Sequence, residues 1–302
     1  MKLNAYAPGI YPRSDALVQA TRDLDRGRTT ADAVEAQVKA DQNELVRVQE
    51  EAGLTLLSDG LLRWQDLFRP LAERATGLDA RPLTRFLDTN TFYRALLVEG
   101  DPRLRDPVPP PPDLPAGRWL GTLPSPTALS HATRGEASAH ALAAEVLAPQ
   151  IQTYAEGGCA LVVLSDPFLA ESDKTAELVS SLGELPDAVP LALQLPFGDA
   201  SSILAELAGA PVTAVGIDFY ATSLDAIPES YPKEIMAGVI DSRSSALEDP
   251  AEIGRFAGAL AERKPAGISL SPNGDLQFVP EAIARRKLGT LGESRNALAA
   301  AA

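Results

Sequence analysis

Thiols and imidazoles are almost missing from this chain of 302 residues, which has one cysteine, Cys159, and two histidines, His131 and His140. A single cysteine excludes an intrachain disulfide and a thiolate-rich zinc site. Both histidines fall in a stretch that reads as helix, away from any strand end, so a Ser-His-Asp hydrolase has no support. Positive charge is also short. Lys and Arg number 27 against 41 Asp and Glu, and the formal net charge of −14 argues against nucleic acid or an anionic membrane surface as partner. No apolar run approaches ~20 residues, so no membrane-spanning helix is expected. The N-terminal MKLNAYAPGIYPR lacks the apolar core of an export signal. These absences point to a cytoplasmic, enzyme-like protein.

What the chain does have is a series of eight short apolar runs: LNAY (3–6), LTLLS (54–58), RWLGTL (118–123), ALVVLS (160–165), LALQL (191–195), AVGIDF (214–219), IMAGVID (235–241) and GISLS (267–271). Most are bounded by Gly, Pro or Asp, and each is separated from the next by enough sequence for a helix. That is the pattern of parallel strands with helical crossovers. Eight such units predict a single α/β domain over 1–302, a (β/α)8 TIM barrel, for which ~250 residues or more is an ordinary length. Thr30 is placed to cap a helix over about 31–52, after a first one over about 14–26. Further helices are expected over 125–157 and near 173–183, 200–208, 249–263 and 280–287. The prolines at 106–117 exclude helix and central strand and predict a surface connector, and the alanine-rich tail from 293 is expected to fray.

In a barrel, ligands bind where the strands end. That nominates Arg13, Asp59, Ser165, Asp166, Gln194, Asp218, Asp241, Arg243 and Asn273. Asp166 can hold an amine or act as general base, or merely cap the helix after Pro167. Asp166, Asp218 and Asp241, the candidate catalytic residues, can form an acidic ring for a cation, although separated carboxylates in an acidic protein are weak grounds for a metal. Arg243 can pair with Asp241 or receive a carboxylate. Arg63, Trp64 and Asp66 suit a flat heterocycle or an anionic tail, or an Arg–Asp pair that holds the loop. Arg63, Arg69 and Arg243 together can make a local basic pocket. Asp88 and Asn90 can bind a polar ligand or form a turn. Cys159, before the fourth run, reads as a buried inert thiol.

Several segments resemble the cobalamin-independent methionine synthases: GIYPRSDALVQATRDLDRG, QEEAGLTLLSDGLLRWQDLF, TRFLDTNTFYRALLVEG, LSDPFL, LALQLPFGD and GVIDSRSSALED, in that order from about residue 9 to 288. The resemblance implies a (β/α)8 barrel and methyl transfer from a methylated folate to homocysteine. That family's full-length members carry two related barrels, of which the C-terminal one binds zinc through a His-x-Cys pair, a Glu and a further Cys. At the corresponding places this chain reads Gln194-Leu195-Pro196, Asp218 and, in SPNGD, Gly274; Leu61 stands where the zinc barrel has a homocysteine-contacting Glu. The FLDTNTFYR and QLPFGD segments instead resemble the zinc-free N-terminal barrel, which implies a free-standing counterpart of that half or a divergent single-barrel paralogue. This resemblance implies no cofactor held here, a folate-type donor as substrate and a zinc-bearing barrel as partner, because a thiol of pKa near ~8.5 is scarcely ionised at neutral pH without help. The competing readings are a non-catalytic scaffold subunit and a transferase or lyase acting on another small anion.

Overall fold

A computed structural model describes residues 3–64 and 66–301, with side chains through residue 297. It contains ten strands: β1 (Leu3–Ala5), β2 (Ala75–Arg85), β3 (Phe92–Leu104), β4 (Trp119–Pro124), β5 (Thr133–Arg134), β6 (Cys159–Ser165), β7 (Leu191–Leu195), β8 (Ala214–Asp218), β9 (Glu234–Ile240) and β10 (Gly267–Pro272). Seven of them form one parallel sheet in the order β1-β10-β9-β8-β7-β6-β4. Seven of the eight apolar runs are thus strands of one sheet, with helices packed against it. Their near-continuous burial is what a parallel sheet covered on both faces requires.

The remaining run, 54–58, is not a regular strand, yet it lies between the two edges of that sheet. Thr55 N–H donates to Ala5 O (2.8 Å), Leu57 N–H donates to Arg118 O (2.8 Å), and Leu120 N–H donates to Leu57 O (2.9 Å). Side chains alternate accordingly. Tyr6, Leu120, Leu161, Val163, Ala192, Ala214 and Met236 form a small apolar cluster with Leu56 against it, separate from the large core shared by the outer faces and the helices.

The helices over Asp15–Asp25 and Ala31–Glu51 begin at Ser14 and Thr30, whose hydroxyls accept from Leu17 N (3.1 Å) and Ala33 N (3.3 Å). Two helix expectations change. The helix expected over 125–157 is broken: Pro126–Ala132 is helical, Thr133–Arg134 becomes β5, and Ser138 caps a new start that runs to Glu156 through a π-helical turn over Ala143–Leu147. Serine favours caps over helix interiors because its hydroxyl competes for backbone N–H groups. Near 200–208 only Leu204–Leu207 is helical. The chain's last helix is Glu281–Ala301, and within it Arg295 donates to Leu3 O (3.1 Å) and Gly53 O (3.0 Å).

That last helix approaches the end of Ala31–Glu51 so closely that a Cβ on Gly292 would stand 1.7 Å from Ala52 O. Gly292→Ala is therefore expected to force the two helices apart at a cost of about 1–3 kcal/mol. Chemical denaturation checks this, with Gly289→Ala as the control: there a Cβ meets nothing, and removing a helix-interior glycine should stabilise by about 0.5–1 kcal/mol.

The larger departure is the segment between runs two and three. Instead of an irregular crossover it forms an antiparallel hairpin of β2 and β3, with β5 added parallel to β3. Asp66 anchors it: Oδ1 accepts from Phe68 N (2.9 Å) and Arg69 N (2.7 Å), and Oδ2 accepts from Arg94 N (3.0 Å). The hairpin turn, 86–91, then lies beside the C-terminal ends of the parallel strands, where Phe86 packs on Phe168 and Phe278.

Candidate functional site

The C-terminal end of the sheet has two layers. In the lower one, side chains at the strand ends satisfy one another. Gln194 donates through Nε2 to Pro272 O (3.1 Å), and Asn273 donates through Nδ2 to Asp218 Oδ1 (3.1 Å). Asn273 Oδ1 accepts from both Ser242 N (2.9 Å) and Ser242 Oγ (3.0 Å). Asp166 is buried and accepts from Ser125 Oγ and Thr127 Oγ1 (2.5 Å each) and from Phe168 N (3.1 Å). Burial raises the Asp166 carboxyl above the usual carboxylate range, against the pull of those two hydroxyls. Burial likewise raises Asp218, with the like charge of Asp241 adding to it.

Above this layer is a narrow cleft whose lining includes Ile10, Asp66, Ser165, Phe197, Asp275 and Gln277, closed on one side by Phe86, Phe92 and Tyr93 of the hairpin. Rings run around it in a chain: Phe68–Tyr93 at 5.1 Å between centroids, Tyr93–Phe86 at 6.4 Å, Phe86–Phe278 at 6.1 Å and Phe278–Phe197 at 5.5 Å. Phe197 holds φ at +62°, a strained value for a bulky side chain. It is accommodated because Gly274 lies beneath: a Cβ there would be 2.4 Å from the ring. Asp275 is half-buried, accepts from Gln277 Nε2 (2.9 Å), and is pushed up to about 6 by burial.

The residues nominated from sequence divide accordingly. Asp66 and Ser165 line the cleft, while Asp166, Gln194, Asp218 and Asn273 sit below it with internal partners. The expected acidic ring does not assemble, since Asp166 is turned to Ser125 and Thr127 while Asp218 is turned to Asn273. Nor does the basic pocket. Arg63 turns to Glu35 and Gln42 on helix Ala31–Glu51, Arg69 pairs with Glu73, and Arg243 pairs with Asp88 (3.0 Å). The Arg243 guanidinium thus leaves Asp241, whose carboxylate instead accepts the Arg243 backbone N–H (3.0 Å). Arg13 donates to Trp64 O (2.9 Å), and Trp64 is buried. Asp88 and Asn90 are exposed at the hairpin turn, with Arg85 donating to Asn90 Oδ1 (3.4 Å). Cys159 is buried, and burial pushes its thiol up to about 11. Sequence reasoning missed Asp275, Phe197 and Phe86; the only signals were the polar SPNGD and the PFG at the ends of two strands.

Asp275 gives a pH dependence of definite sign. Its folded-state pKa lies above the unfolded value of about 4, so the folded state holds the proton more tightly. This stabilises the fold below about pH 4 and is lost as pH rises to about 6. Melting temperatures measured over that window should therefore fall more steeply for the wild type than for Asp275→Asn. Parallel curves would show that Asp275 does not titrate there.

Among solved structures, this fold matches a B12-independent methionine synthase from Shewanella sp. W3-18-1, solved in complex with selenomethionine, with a TM-score of 0.80 at 13% identity, covering 100% of this chain and 99% of that one. A Listeria monocytogenes protein described as a candidate vitamin-B12-independent methionine synthase matches with a TM-score of 0.73 at 16% identity, covering 98% of each chain. In sequence, the 5-methyltetrahydropteroyltriglutamate–homocysteine methyltransferase of Mycolicibacterium paratuberculosis is 32% identical over 108 residues, 33% of this chain and 14% of that enzyme. The Mycobacterium tuberculosis enzyme is 31% identical over 127 residues, 39% of this chain and 17% of its own length. The matched stretches thus span less than a fifth of these enzymes. No protein-family model matches the chain. The chain resembles the B12-independent methionine synthases in fold throughout and in sequence over about a third of its length.

Proposed function

We propose that this chain is a methionine-synthase-like protein that binds one reactant of a methyl transfer toward homocysteine in its strand-end cleft and acts with a separate zinc-bearing barrel. The observation that carries the reading is the full-length fold likeness to a B12-independent methionine synthase, together with a cleft at the strand ends where such folds bind ligands. In the same reading the run 54–58 supplies the eighth stave of a (β/α)8 barrel. Its hydrogen bonds to both sheet edges, and the inner cluster to which Leu56 adds, support that closure.

The residues present do not fit the zinc of the catalytic barrel. The carboxylate of Asp218 is engaged by Asn273 and by Tyr220 N–H (2.9 Å), and the thiol of Cys159 stands at the opening residue of β6. Among the described residues no three His, Cys, Asp or Glu side chains gather to hold a metal. These residues therefore supply no zinc chemistry, and thiolate formation falls to the partner.

The test is methionine formation by a zinc-bearing methionine-synthase barrel, with and without this chain, supplied in turn with methyltetrahydrofolate triglutamate and with other methyl donors. A rate that rises with added chain, saturably, supports the reading. An unchanged rate with every donor overturns it. A scaffold role is a second reading, favoured by the mutual satisfaction of Gln194, Asp218, Asn273 and Ser242. It predicts that a rate increase survives Asp275→Asn and Phe197→Leu.

A further inference from the structure

The cleft has a charge and shape of its own. Among the described residues its lining contributes two carboxylates, Asp66 and Asp275, five aromatic rings, Phe68, Phe86, Phe92, Tyr93 and Phe197, and no Lys, Arg or His. Asp66 is committed to three backbone N–H groups, whereas Asp275 accepts from Gln277 Nε2 and the Ile10 backbone N–H and faces no cationic side chain of the lining. A polyanionic folate tail gains nothing from such a lining. A small cation gains twice, from the carboxylate and from the negative faces of the rings. The molecule already shows the second attraction: the Arg243 guanidinium, outside the lining, stands over the Phe197 ring at 4.6 Å from its centroid.

We infer that the cleft binds a methylated onium cation, a sulfonium or quaternary ammonium group, with Asp275 opposite its charge and Phe86, Tyr93 and Phe197 around its methyl groups. The cationic class rests on the cleft; only its place as methyl donor rests on the function proposed above. In that place the chemistry balances. A thiolate forms a new S–CH3 bond, the bond from that methyl to the onium centre breaks, and the bonding pair remains on a leaving group that departs neutral.

The experiment is calorimetric titration of the full chain with trimethylsulfonium chloride, tetramethylammonium chloride and their neutral isostere tert-butanol. One or both cations should saturate a single site at least about tenfold more tightly than the alcohol; which of them does so identifies the donor type. Asp275→Asn and Phe197→Leu should each weaken that binding by on the order of tenfold, with melting curves showing that both variants fold. Equal binding of tert-butanol, or no binding of either cation to folded protein, overturns the inference. The two proposals fail separately. Onium binding without methionine formation rejects the reaction and keeps the site, whereas methionine formation from the folate donor without onium binding does the reverse.

Discussion

Lys287→Met should lower the unfolding free energy by about 3–5 kcal/mol, the largest effect expected of a single side chain here. Lys287 is fully buried, and its Nζ donates to Glu248 Oε1 (2.7 Å) and Ala246 O (2.7 Å). It thereby fastens helix Glu281–Ala301 to the loop that follows β9. Glu248 Oε1 also accepts from Asp241 N (2.9 Å), while its Oε2 is buried without a partner. Methionine keeps the volume but strands the Glu248 charge, and the cost of a stranded buried charge exceeds what the intact pair contributes. The double variant Lys287→Met/Glu248→Gln should therefore recover much of the loss, since Gln retains an acceptor for Asp241 N–H without the charge. Urea denaturation of the four proteins of this cycle decides the matter. A double variant as unstable as the sum of the singles would mean that packing, and not charge, sets the cost.

Asp66→Ala should cost about 3 kcal/mol and act on the hairpin first. Three backbone N–H groups, those of Phe68, Arg69 and Arg94, lose their common acceptor. A hydrogen bond to a charged acceptor contributes about 1.5–3 kcal/mol, and a buried donor left alone costs about 1–3 kcal/mol. Part of the nominal sum is recovered by water at the partly buried sites. Hydrogen exchange should show the amides of β2 and β3 losing protection while those of β6 to β9 keep it, because the parallel sheet is held by other contacts. Uniform loss across both sheets would show that the hairpin is not a separable unit. Asp66→Asn should fall between, because Oδ1 can still serve Phe68 and Arg69 while the amide NH2 would face the Arg94 N–H.

The fold was legible to the extent that local patterns encode it. Seven apolar runs became strands of one parallel sheet, and Ser14 and Thr30 began helices where their hydroxyls could cap them. The hairpin was not legible, because TRFLDTNTFYR has no Asn-Gly or Asp-Gly turn and its register shifts between Ala80 and Leu83. The candidate site was read less well still. Sequence reading nominated Ser165 at a strand end and Asp66 in the segment after the second run, which line the cleft, but also Arg63 and Arg243, which point elsewhere. A long arginine side chain spans several ångströms, so its position in the chain leaves its guanidinium's partner open.

The sequence by itself determined the α/β class, the seven strands of the parallel sheet, the Ser14 and Thr30 caps, the acidic balance, and the scarcity of thiol and imidazole, because these depend on residue type and short-range periodicity. Only the tertiary structure decided which polar groups remain available. It paired Asn273 with Asp218, turned Asp166 to Ser125 and Thr127, and seated Phe197 over Gly274. It also brought Phe86 and Tyr93 of the hairpin to the same cleft as Asp275, some 180 residues further along the chain by its numbering. Hydrogen-bond satisfaction and ring packing are long-range and mutually exclusive choices, so each side chain's partner is set only when all the elements meet.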